Sequence, residues 1–399
     1  MIFVLCVDLI FVQCVLQRNY EKIIRLKLYM FSKEIVKYDW ERVIKNIYSK
    51  TAKDVERALC KKQLNIDDFM ALVSPAAESY IEHMAKLSQI YTQERFGKTI
   101  QMYIPLYLTN SCTNHCVYCG FQYNNPINRV ILNEEEIEEE CNAIKELAPF
   151  DNILLVTGEN PHIAGVDYLD RAINIVKKYF SNISIEVMPL KAEDYIRLTE
   201  SGLNGVVCFQ ETYNRERYKC YHPKGMKSNY EWRLNGFDRM GVSQVHKIGL
   251  GVLLGLEDWR CDVTFMAIHL AYLKKLYWKS KFSINFPRIR PSKMGFQPNI
   301  IMSDRELAQL IFAYRIFDRD LDISISTREK ELFRDNILSL GATSFSAGSK
   351  TEPGGYKTHP QALEQFEVSD QRSPLQVANN IRNKGYEVVW KDWNRVFDL

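Results

Sequence analysis

Residues 101–121 read QMYIPLYLTNSCTNHCVYCGF, and this stretch decides how the rest of the chain is interpreted. Its first part, residues 101–108, is a short run of apolar and aromatic residues that predicts a β-strand. Cys112, Cys116 and Cys119 follow with the spacing C-x3-C-x2-C. Three cysteines within eight residues are typical of a metal centre, which here would lie at the carboxyl end of the strand.

Downstream of this strand, short β-branched or aromatic runs alternate with segments of helical periodicity. The predicted strands are residues 101–108, 152–157, 183–188, 205–210, 247–254, 282–286, 322–326 and 342–346. The predicted helices between them are residues 134–147, 167–179, 192–201, 230–240, 261–278 and 303–317. This alternation predicts the α/β class and a (β/α)8 barrel of the TIM type. A doubly wound sheet is the alternative, disfavoured because no glycine-rich dinucleotide fingerprint follows the first strand.

The rest of the chain divides into a helical lead and a C-terminal segment. Residues 30–98 show helical spacing, as at Trp40, Val43 and Ile47, and are predicted to form an N-terminal helical region. Residues 99–350 contain the barrel repeats, and residues 351–399 are expected to close the barrel. We interpret residues 1–29 as an extension or the result of a misplaced start, because the sequence after Met30 resembles the beginning of a protein.

Composition excludes several classes of protein. The net charge is only +3, from 52 basic and 49 acidic residues, which does not indicate nucleic acid or an anionic membrane as a partner. Ten cysteines in 399 residues are too few for a disulfide-stabilised secreted scaffold. The apolar run at residues 1–16 contains Asp8 and is short for a membrane span. These features predict a cytoplasmic protein without a membrane span.

The cysteine triad leaves two kinds of metal centre open. A tetrahedral zinc site needs a fourth ligand, but His115 adjoins Cys116 in sequence and no second CxxC pair is present. A ferredoxin-type cluster also takes four cysteines. Three thiolates on a four-iron cluster would leave one iron free to bind a small molecule.

The segment CTNHCVYC, with Tyr118 before its last cysteine, resembles the cluster loop of radical S-adenosylmethionine (SAM) enzymes. The resemblance implies one 4Fe–4S cluster held by the three cysteines, with SAM at the open iron. It also implies that Gly158 and Glu159 of LLVTGE lie beside the methionyl amine, where a carboxylate accepts from an ammonium. In such enzymes an electron from the cluster cleaves SAM to methionine and a 5′-deoxyadenosyl radical.

Further segments make this resemblance more specific. PLYLTNSCTNHCVYCGF, FPRIRPS, SISTRE and SKTEPGGY together are similar to the 2-iminoacetate synthase family, the tyrosine lyases of thiamine thiazole biosynthesis. The similarity runs from about residue 30 to the segment VWKDW. It implies cleavage of the Cα–Cβ bond of L-tyrosine to 2-iminoacetate and 4-cresol, with SAM converted to 5′-deoxyadenosine and methionine. The product would supply the glycine-derived unit of the thiazole.

A tyrosine site must hold the carboxylate of an amino acid. Arg328 in SISTRE, at the end of the seventh predicted strand, has the residue type for a bidentate clamp. Ser344 and Ser346, on the eighth predicted strand, could add hydroxyl groups to the same carboxylate. The alternative for Arg328 is an ion pair with Glu329 or Glu331.

The carboxylate and ribose of SAM also need polar partners at the barrel mouth. Glu211, Arg233 and Arg290 are the candidates, because a charge aimed into a barrel is costly unless it has a partner. A salt bridge on a helix surface is the alternative for Arg233. Glu257 and Arg260, after the fifth predicted strand, are weaker candidates.

For two tyrosines and two histidines we expect a structural role and no contact with a ligand. Tyr103 and Tyr107 alternate on the first strand, as residues of a barrel interior do, and are expected mainly to pack there. His222 and His359 are isolated in the sequence and are interpreted as loop residues.

Two other functions remain open at this point. A tyrosine lyase of the hydrogenase-maturation type carries a second cluster on a C-terminal domain, whereas no cysteine follows Cys261 here. The chain could therefore be such a lyase without the second cluster, or a non-enzymatic iron–sulfur electron-transfer or scaffold protein. For the thiamine enzyme, the resemblance implies transfer of the unstable 2-iminoacetate to thiazole synthase, and a flavodoxin or ferredoxin as electron donor.

Overall fold

The computed structural model describes residues 30–291 and 295–392, so the expectations for residues 1–29 and 393–399 lie outside the described residues. A helical lead precedes the first strand, and some of its helices start at polar caps; Asp39, for example, accepts from the Arg42 N–H at 2.8 Å. These helices are α1 Phe31–Ile35, α2 Trp40–Tyr48, α3 Ala52–Leu59, α4 Ile66–Val73, the 3₁₀ helix Pro75–Tyr80 and α5 Ile81–Phe96. The division into residues 30–98, 99–350 and 351–399 stays a prediction.

Eight parallel strands then close into a barrel. They are β1 Thr99–Thr109, β2 Asn152–Thr157, β3 Asn182–Glu186, β4 Gly205–Glu211, β5 Lys247–Val252, β6 Lys281–Asn285, β7 Asp322–Ile325 and β8 Ser344–Ser346. Each strand pairs with the next one along the chain, and β8 and β2 both pair with β1. The predicted TIM-type barrel is confirmed, and the doubly wound sheet is excluded.

Helices cover the outside of the barrel between the strands. They are α6 Glu134–Leu147, α7 Val166–Val176, α8 Ala192–Ser201, α9 Arg215–Tyr221, α10 Tyr230–Leu234, α11 Gly236–Val242, α12 Trp259–Leu276, α13 Asp304–Phe317 and α14 Glu331–Ile337. The prediction of one helix over residues 230–240 is wrong, because Asn235 separates α10 from α11. Asn235 and Gly236 are weak helix formers, and the Asn235 side chain accepts from the Ser32 N–H at 3.1 Å.

The floor of the barrel is completed by the C-terminal segment. After α15 Pro374–Asn383, strand β9 Glu387–Val389 pairs in parallel with Thr99–Gln101 of β1. Gln101 Nε2 donates to Asp392 Oδ2 at 2.6 Å, and Asn152 Nδ2 donates to the Trp390 carbonyl at 3.0 Å. The first strand is therefore joined at its start to residues near the end of the described chain.

The stretch between β8 and α15 lies along the upper part of β1. The buried Glu140 carboxylate on α6 accepts from the backbone N–H groups of Tyr356, Lys357 and Thr358 at 2.7 to 2.9 Å. Tyr356 Oη donates to the Pro105 carbonyl at 2.7 Å. These bonds hold the segment beside the barrel opening.

Within residues 30–291 and 295–392, no helix has the length and apolar character needed to cross a membrane.

Candidate active site

A cavity of about 280 Å³ extends through the barrel from the loop after β1 to the strand starts at Gln101 and Asn152. Seven serines are among the described residues that line it: Ser184, Ser283, Ser324, Ser326, Ser344, Ser346 and Ser349. A TIM-barrel interior is normally filled by branched apolar side chains. Small polar residues instead leave room here for a polar ligand.

The loop after β1, residues 110–130, is called the cysteine loop below. Its conformation is held by Arg129, whose pKa is lowered by burial. The guanidinium donates bonds of 2.7 to 3.3 Å to the carbonyls of Asn110, Phe121, Gln122, Tyr123 and Asn125. One side chain therefore satisfies backbone groups along much of a loop that has little regular secondary structure.

The three cysteines of this loop line the cavity. Burial raises the pKa of Cys112 to about 11, raises that of Cys119, and raises that of Cys116 well above its usual value. Cys119 also raises the pKa of both other thiols by electrostatic repulsion. Thiolates at this position therefore need a positive partner such as a metal centre.

The described residues contain no group of three His, Cys, Asp or Glu side chains arranged to hold a single metal ion. A four-iron cluster takes each thiolate on a different iron, so its ligands need not converge on one point. Three thiols that open onto a common cavity thus fit a cluster better than they fit zinc.

Gly158 is required where the end of β2 meets the cysteine loop. A Cβ atom at this position would lie 2.2 Å from the Ser111 carbonyl oxygen. The Gly158 N–H donates to the Thr109 carbonyl at 2.8 Å, and the Thr113 N–H donates to the Glu159 carbonyl at 3.0 Å. Glycine therefore allows the backbone of β2 to bond directly to the loop.

Glu159 forms a buried ion pair with Arg233. Asn114 Nδ2 of the cysteine loop donates to Glu159 Oε2 at 2.8 Å, and Arg233 Nη1 donates to the Phe209 carbonyl at 3.0 Å. Burial opposes ionisation, but the guanidinium holds the pKa of Glu159 below its usual value. Arg233 is only 3% exposed, which excludes the surface salt bridge as its role.

Glu211 pairs in the same way with Lys227, a residue that sequence reasoning did not identify. Burial would lower the pKa of Lys227, but the Glu211 carboxylate raises it above its usual value. Glu211 has a φ of +69°, and the Lys227 N–H donates to Asn114 Oδ1 at 2.9 Å. Asn114 of the cysteine loop therefore contacts both ion pairs. Its Nδ2 donates to Glu159, and its Oδ1 accepts from the Lys227 N–H.

Tyr118 of the cysteine loop contacts His222, with 2.8 Å between Oη and Nε2. His222 lies just after α9, outside a helix as expected, but it is fully buried. Burial lowers its pKa well below the usual value, so the ring is neutral. The Tyr118 ring also packs near Phe296 and Ile289, which gives this side of the cavity an apolar wall.

Arg328 lines the cavity at the end of β7 without an ion pair among the described residues. Its guanidinium stacks on the Phe366 ring, 3.3 Å from the centroid. Burial lowers the pKa of Arg328. The alternative pairing with Glu329 or Glu331 is wrong, because those carboxylates pair with other arginines.

Glu186, at the end of β3, is the second charged group of the cavity without a partner among the described residues. Burial raises its pKa to about 7, and Arg328 acts in the opposite direction. Glu186 also influences the pKa values of Tyr103 and Tyr107, which places these four side chains in one part of the cavity. Its alternation with the inward-facing Ser184 was a signal available in the sequence.

The remaining candidates on β1 and β8 lie in the same cavity. Ser324 Oγ donates to Tyr103 Oη at 3.1 Å, and Ser346 Oγ accepts from the Thr327 N–H at 3.1 Å. Tyr107 Oη donates to Gln365 Oε1 at 2.9 Å. Ser344 is buried one layer of side chains below Ser346, and it is the strand partner of Gln101 on β1.

The charged residues after β5 and β6 are placed differently from one another. Arg290 lines the cavity and pairs with Glu329 at 2.9 Å. Glu257 and Arg260 are absent from the described lining; Arg260 donates to the Val73 carbonyl at 2.9 Å and pairs with Glu306. Arg260 therefore fastens the helical lead to the barrel, and the prediction of a cofactor contact for it is wrong.

Two family models match the chain. The radical SAM superfamily matches residues 106–265, and the Biotin and Thiamin Synthesis associated domain matches residues 285–387. The first match contains the cysteine loop and both ion pairs, and the second contains Arg328 and the segment beside the barrel opening.

Known proteins are similar to this chain over most of their length. The chain is 45% identical over 365 residues to 2-iminoacetate synthase of Escherichia coli (strain K12), covering 91% of this chain and 97% of that protein. The 2-iminoacetate synthase of Salmonella typhimurium (strain LT2) is 44% identical over 357 residues, covering 89% and 94%. A crystal structure of HydG, a maturase of the FeFe-hydrogenase, has a TM-score of 0.82 and 29% identity, covering 88% of this chain and 80% of that one.

Proposed function

The chain belongs to the 2-iminoacetate synthase family of radical SAM enzymes, and on that basis we propose how its residues divide the work of a tyrosine lyase. The enzyme cleaves the Cα–Cβ bond of L-tyrosine and serves thiamine biosynthesis. The observation that carries the proposal is a single cavity lined both by the three thiols and by the unpaired Glu186 and Arg328.

Membership of the radical SAM superfamily implies a 4Fe–4S cluster and SAM. Cys112, Cys116 and Cys119 hold the cluster, since they lie on one loop and open onto the same cavity. When bound, the cluster and SAM supply a 5′-deoxyadenosyl radical. The chain's own residues keep this chemistry away from bulk water and orient the substrate.

The substrate is a zwitterion, and the two unpaired charges complement it. Arg328 binds the carboxylate, with Ser346 and Ser344 on the neighbouring strand as hydroxyl partners. Glu186 binds the ammonium group. A buried charge without a partner is costly, and this binding mode supplies a partner for each of the two.

The residues around the cysteine loop receive SAM. Gly158 allows close approach of the backbone, and Glu159 accepts from the methionyl ammonium. Glu211, Arg233 and Arg290 provide further polar contacts to the carboxylate and ribose, with Lys227 holding Glu211 in place. Tyr118 contributes to the apolar wall on the adenosine side.

Three further proposals concern the cell. Because 2-iminoacetate is hydrolysed readily, the enzyme passes it to thiazole synthase. A flavodoxin or ferredoxin delivers the electron, and the reaction takes place in the cytoplasm.

The test is anaerobic reconstitution with iron, sulfide, SAM, dithionite and tyrosine. We expect 5′-deoxyadenosine and 4-cresol as products, detected by chromatography. Cys116→Ala should lose the four-iron absorption and both products, whereas Cys60→Ala, an exposed cysteine on the helical lead, should retain them. A cluster-loaded wild-type sample that forms neither product refutes the lyase, and an intact cluster in Cys116→Ala refutes the ligand assignment.

A further inference from the structure

The C-terminal segment places the side chain of Gln365 beside the cysteine loop. We propose that Gln365 is a positioning residue that donates a hydrogen bond to the cluster ligand Cys119 and raises the reduction potential of the cluster. The proposal rests on the assignment of Cys112, Cys116 and Cys119 as cluster ligands in the proposed function.

The amide of Gln365 lies between Cys119 and Tyr107. Gln365 Nε2 is 3.7 Å from Cys119 Sγ, and Gln365 Oε1 accepts from Tyr107 Oη at 2.9 Å. Because the tyrosine hydroxyl takes the oxygen of the amide, the NH₂ group is directed at the sulfur. Gln365 thus bridges a residue of the cavity wall and a cysteine of the loop.

The backbone of the cysteine loop at Gly120 and that of the C-terminal segment at Gln365 both favour this contact. A Cβ atom on Gly120 would lie 2.7 Å from the Gln365 carbonyl oxygen, so glycine allows the segment to lie against the loop. The Gln365 N–H donates to the Thr351 carbonyl at 3.1 Å, and Thr351 Oγ1 donates to the Phe366 carbonyl at 3.0 Å. These bonds hold the backbone of Gln365 beside the loop independently of its side-chain contacts.

Cys119 differs from the other two cysteines in its side-chain donor. Among the described residues, Gln365 is the one side chain that donates a hydrogen bond to any of the three sulfurs. The Phe121 N–H also donates to Cys119 Sγ, at 3.4 Å, and no side-chain substitution removes that bond. The contribution of Gln365 can therefore be removed while a backbone donor to the same sulfur stays.

The direction of the effect follows from charge. Reduction adds one electron to the cluster, and part of the added charge resides on its sulfur ligands. A donor hydrogen bond to such a sulfur stabilises the reduced form more than the oxidised form. Loss of the Gln365 amide therefore lowers the potential and makes the cluster harder to reduce.

The experiment compares reconstituted wild-type protein with Gln365→Leu and a matched control, Gln361→Leu. Gln361 lies on the same segment but is exposed. Iron content is measured first, and the potential is then determined by EPR during stepwise anaerobic reduction. Gln365→Leu should keep four irons and disfavour one-electron reduction by up to about tenfold, which corresponds to about 59 mV. Gln361→Leu should match the wild type.

Two more variants make the outcome decisive. Tyr107→Phe should lower the potential less than Gln365→Leu, because it removes only the group that orients the amide. Gln365→Glu keeps an oxygen for Tyr107 and replaces the donor by an anion, so it should lower the potential most. If Gln365→Leu binds less iron than the wild type, the potential of Gln365→Glu is the one compared with the wild-type potential. A wild-type potential in Gln365→Leu and Gln365→Glu with full iron content overturns the role of Gln365. A wild-type protein that binds no four-iron cluster overturns the ligand assignment instead.

Discussion

The charges around the cysteine loop are matched with one another, whereas those beside Tyr107 are not. Glu159 pairs with Arg233 and Glu211 pairs with Lys227, while Glu186 and Arg328 have no ion pair among the described residues. All of these residues line one cavity. A paired charge is stabilised by the fold itself, but an unpaired buried charge lowers stability unless a ligand supplies its partner. The paired residues therefore stabilise the structure of the site, whereas Glu186 and Arg328 are available to bind a substrate.

The largest expected effect comes from breaking a matched pair. Arg233→Met leaves the Glu159 carboxylate buried without its cation, so we expect the free energy of unfolding to fall by about 3 to 5 kcal/mol. Urea unfolding followed by circular dichroism measures this change. Wild-type stability in Arg233→Met would show that the pair does not hold the fold.

The corresponding substitution at Arg328, which has no ion pair among the described residues, should affect catalysis instead of stability. Arg328→Met removes the clamp for the substrate carboxylate, and we expect kcat/KM for tyrosine to fall roughly 10²- to 10³-fold, about 3 to 4 kcal/mol. Because Arg328 has no ion pair to lose and its burial disfavours the charge, stability should be at least that of the wild type, and cluster absorption should match it. Turnover of tyrosine at the wild-type rate would mean that another group holds the carboxylate.

Glu186→Gln gives the smallest effect, and its sign depends on pH. Folding raises the pKa of Glu186 to about 7, so wild-type protein loses stability as the pH rises from about 4.5 through 7 and this carboxyl ionises. Glutamine cannot ionise, and we expect the variant to be more stable than wild type by up to about 3 kcal/mol at pH 8 and equal to it at pH 4.

The same variant should bind tyrosine less tightly at pH 8, because it lacks the anion that holds the ammonium group. Thermal unfolding and KM for tyrosine, both measured across this pH range, check the two halves of the prediction. A variant that is no more stable at pH 8, or that keeps the wild-type KM, contradicts the assignment of Glu186 as an unpaired charge for the substrate.

Sequence patterns predicted what depends on local periodicity and motif spacing. The eight barrel strands, the cysteine loop and the inward direction of Tyr103 and Tyr107 all follow from alternation and from residues near each other in the chain. The pairing of Glu159 with Arg233 could not be predicted in this way, because the two residues lie 74 positions apart on different strand–helix units. Its partners become neighbours only when the barrel closes.

Arg129, Lys227 and Gln365 were missed for the same reason. Arg129 lies in an irregular segment and Lys227 in the 3₁₀ helix Met226–Ser228, and nothing in the local sequence distinguishes either from a solvated surface charge. Gln365 lies 246 positions after the cysteine whose sulfur it contacts. Glu186 could have been found, since a carboxylate in the inward register of a predicted barrel strand is uncommon.

The pairing of β9 with β1 also constrains the order in which the molecule folds. Residues 99 and 387 are partners in that ladder although 288 positions separate them. Bringing such distant segments together has a high loop-closure entropy, so this contact forms late, after pairs of adjacent strands. Until then Gln101 and Asn152 lack Asp392 and Trp390 as hydrogen-bond partners. A nascent chain therefore keeps the lower end of its barrel open to water until β9 has left the ribosome.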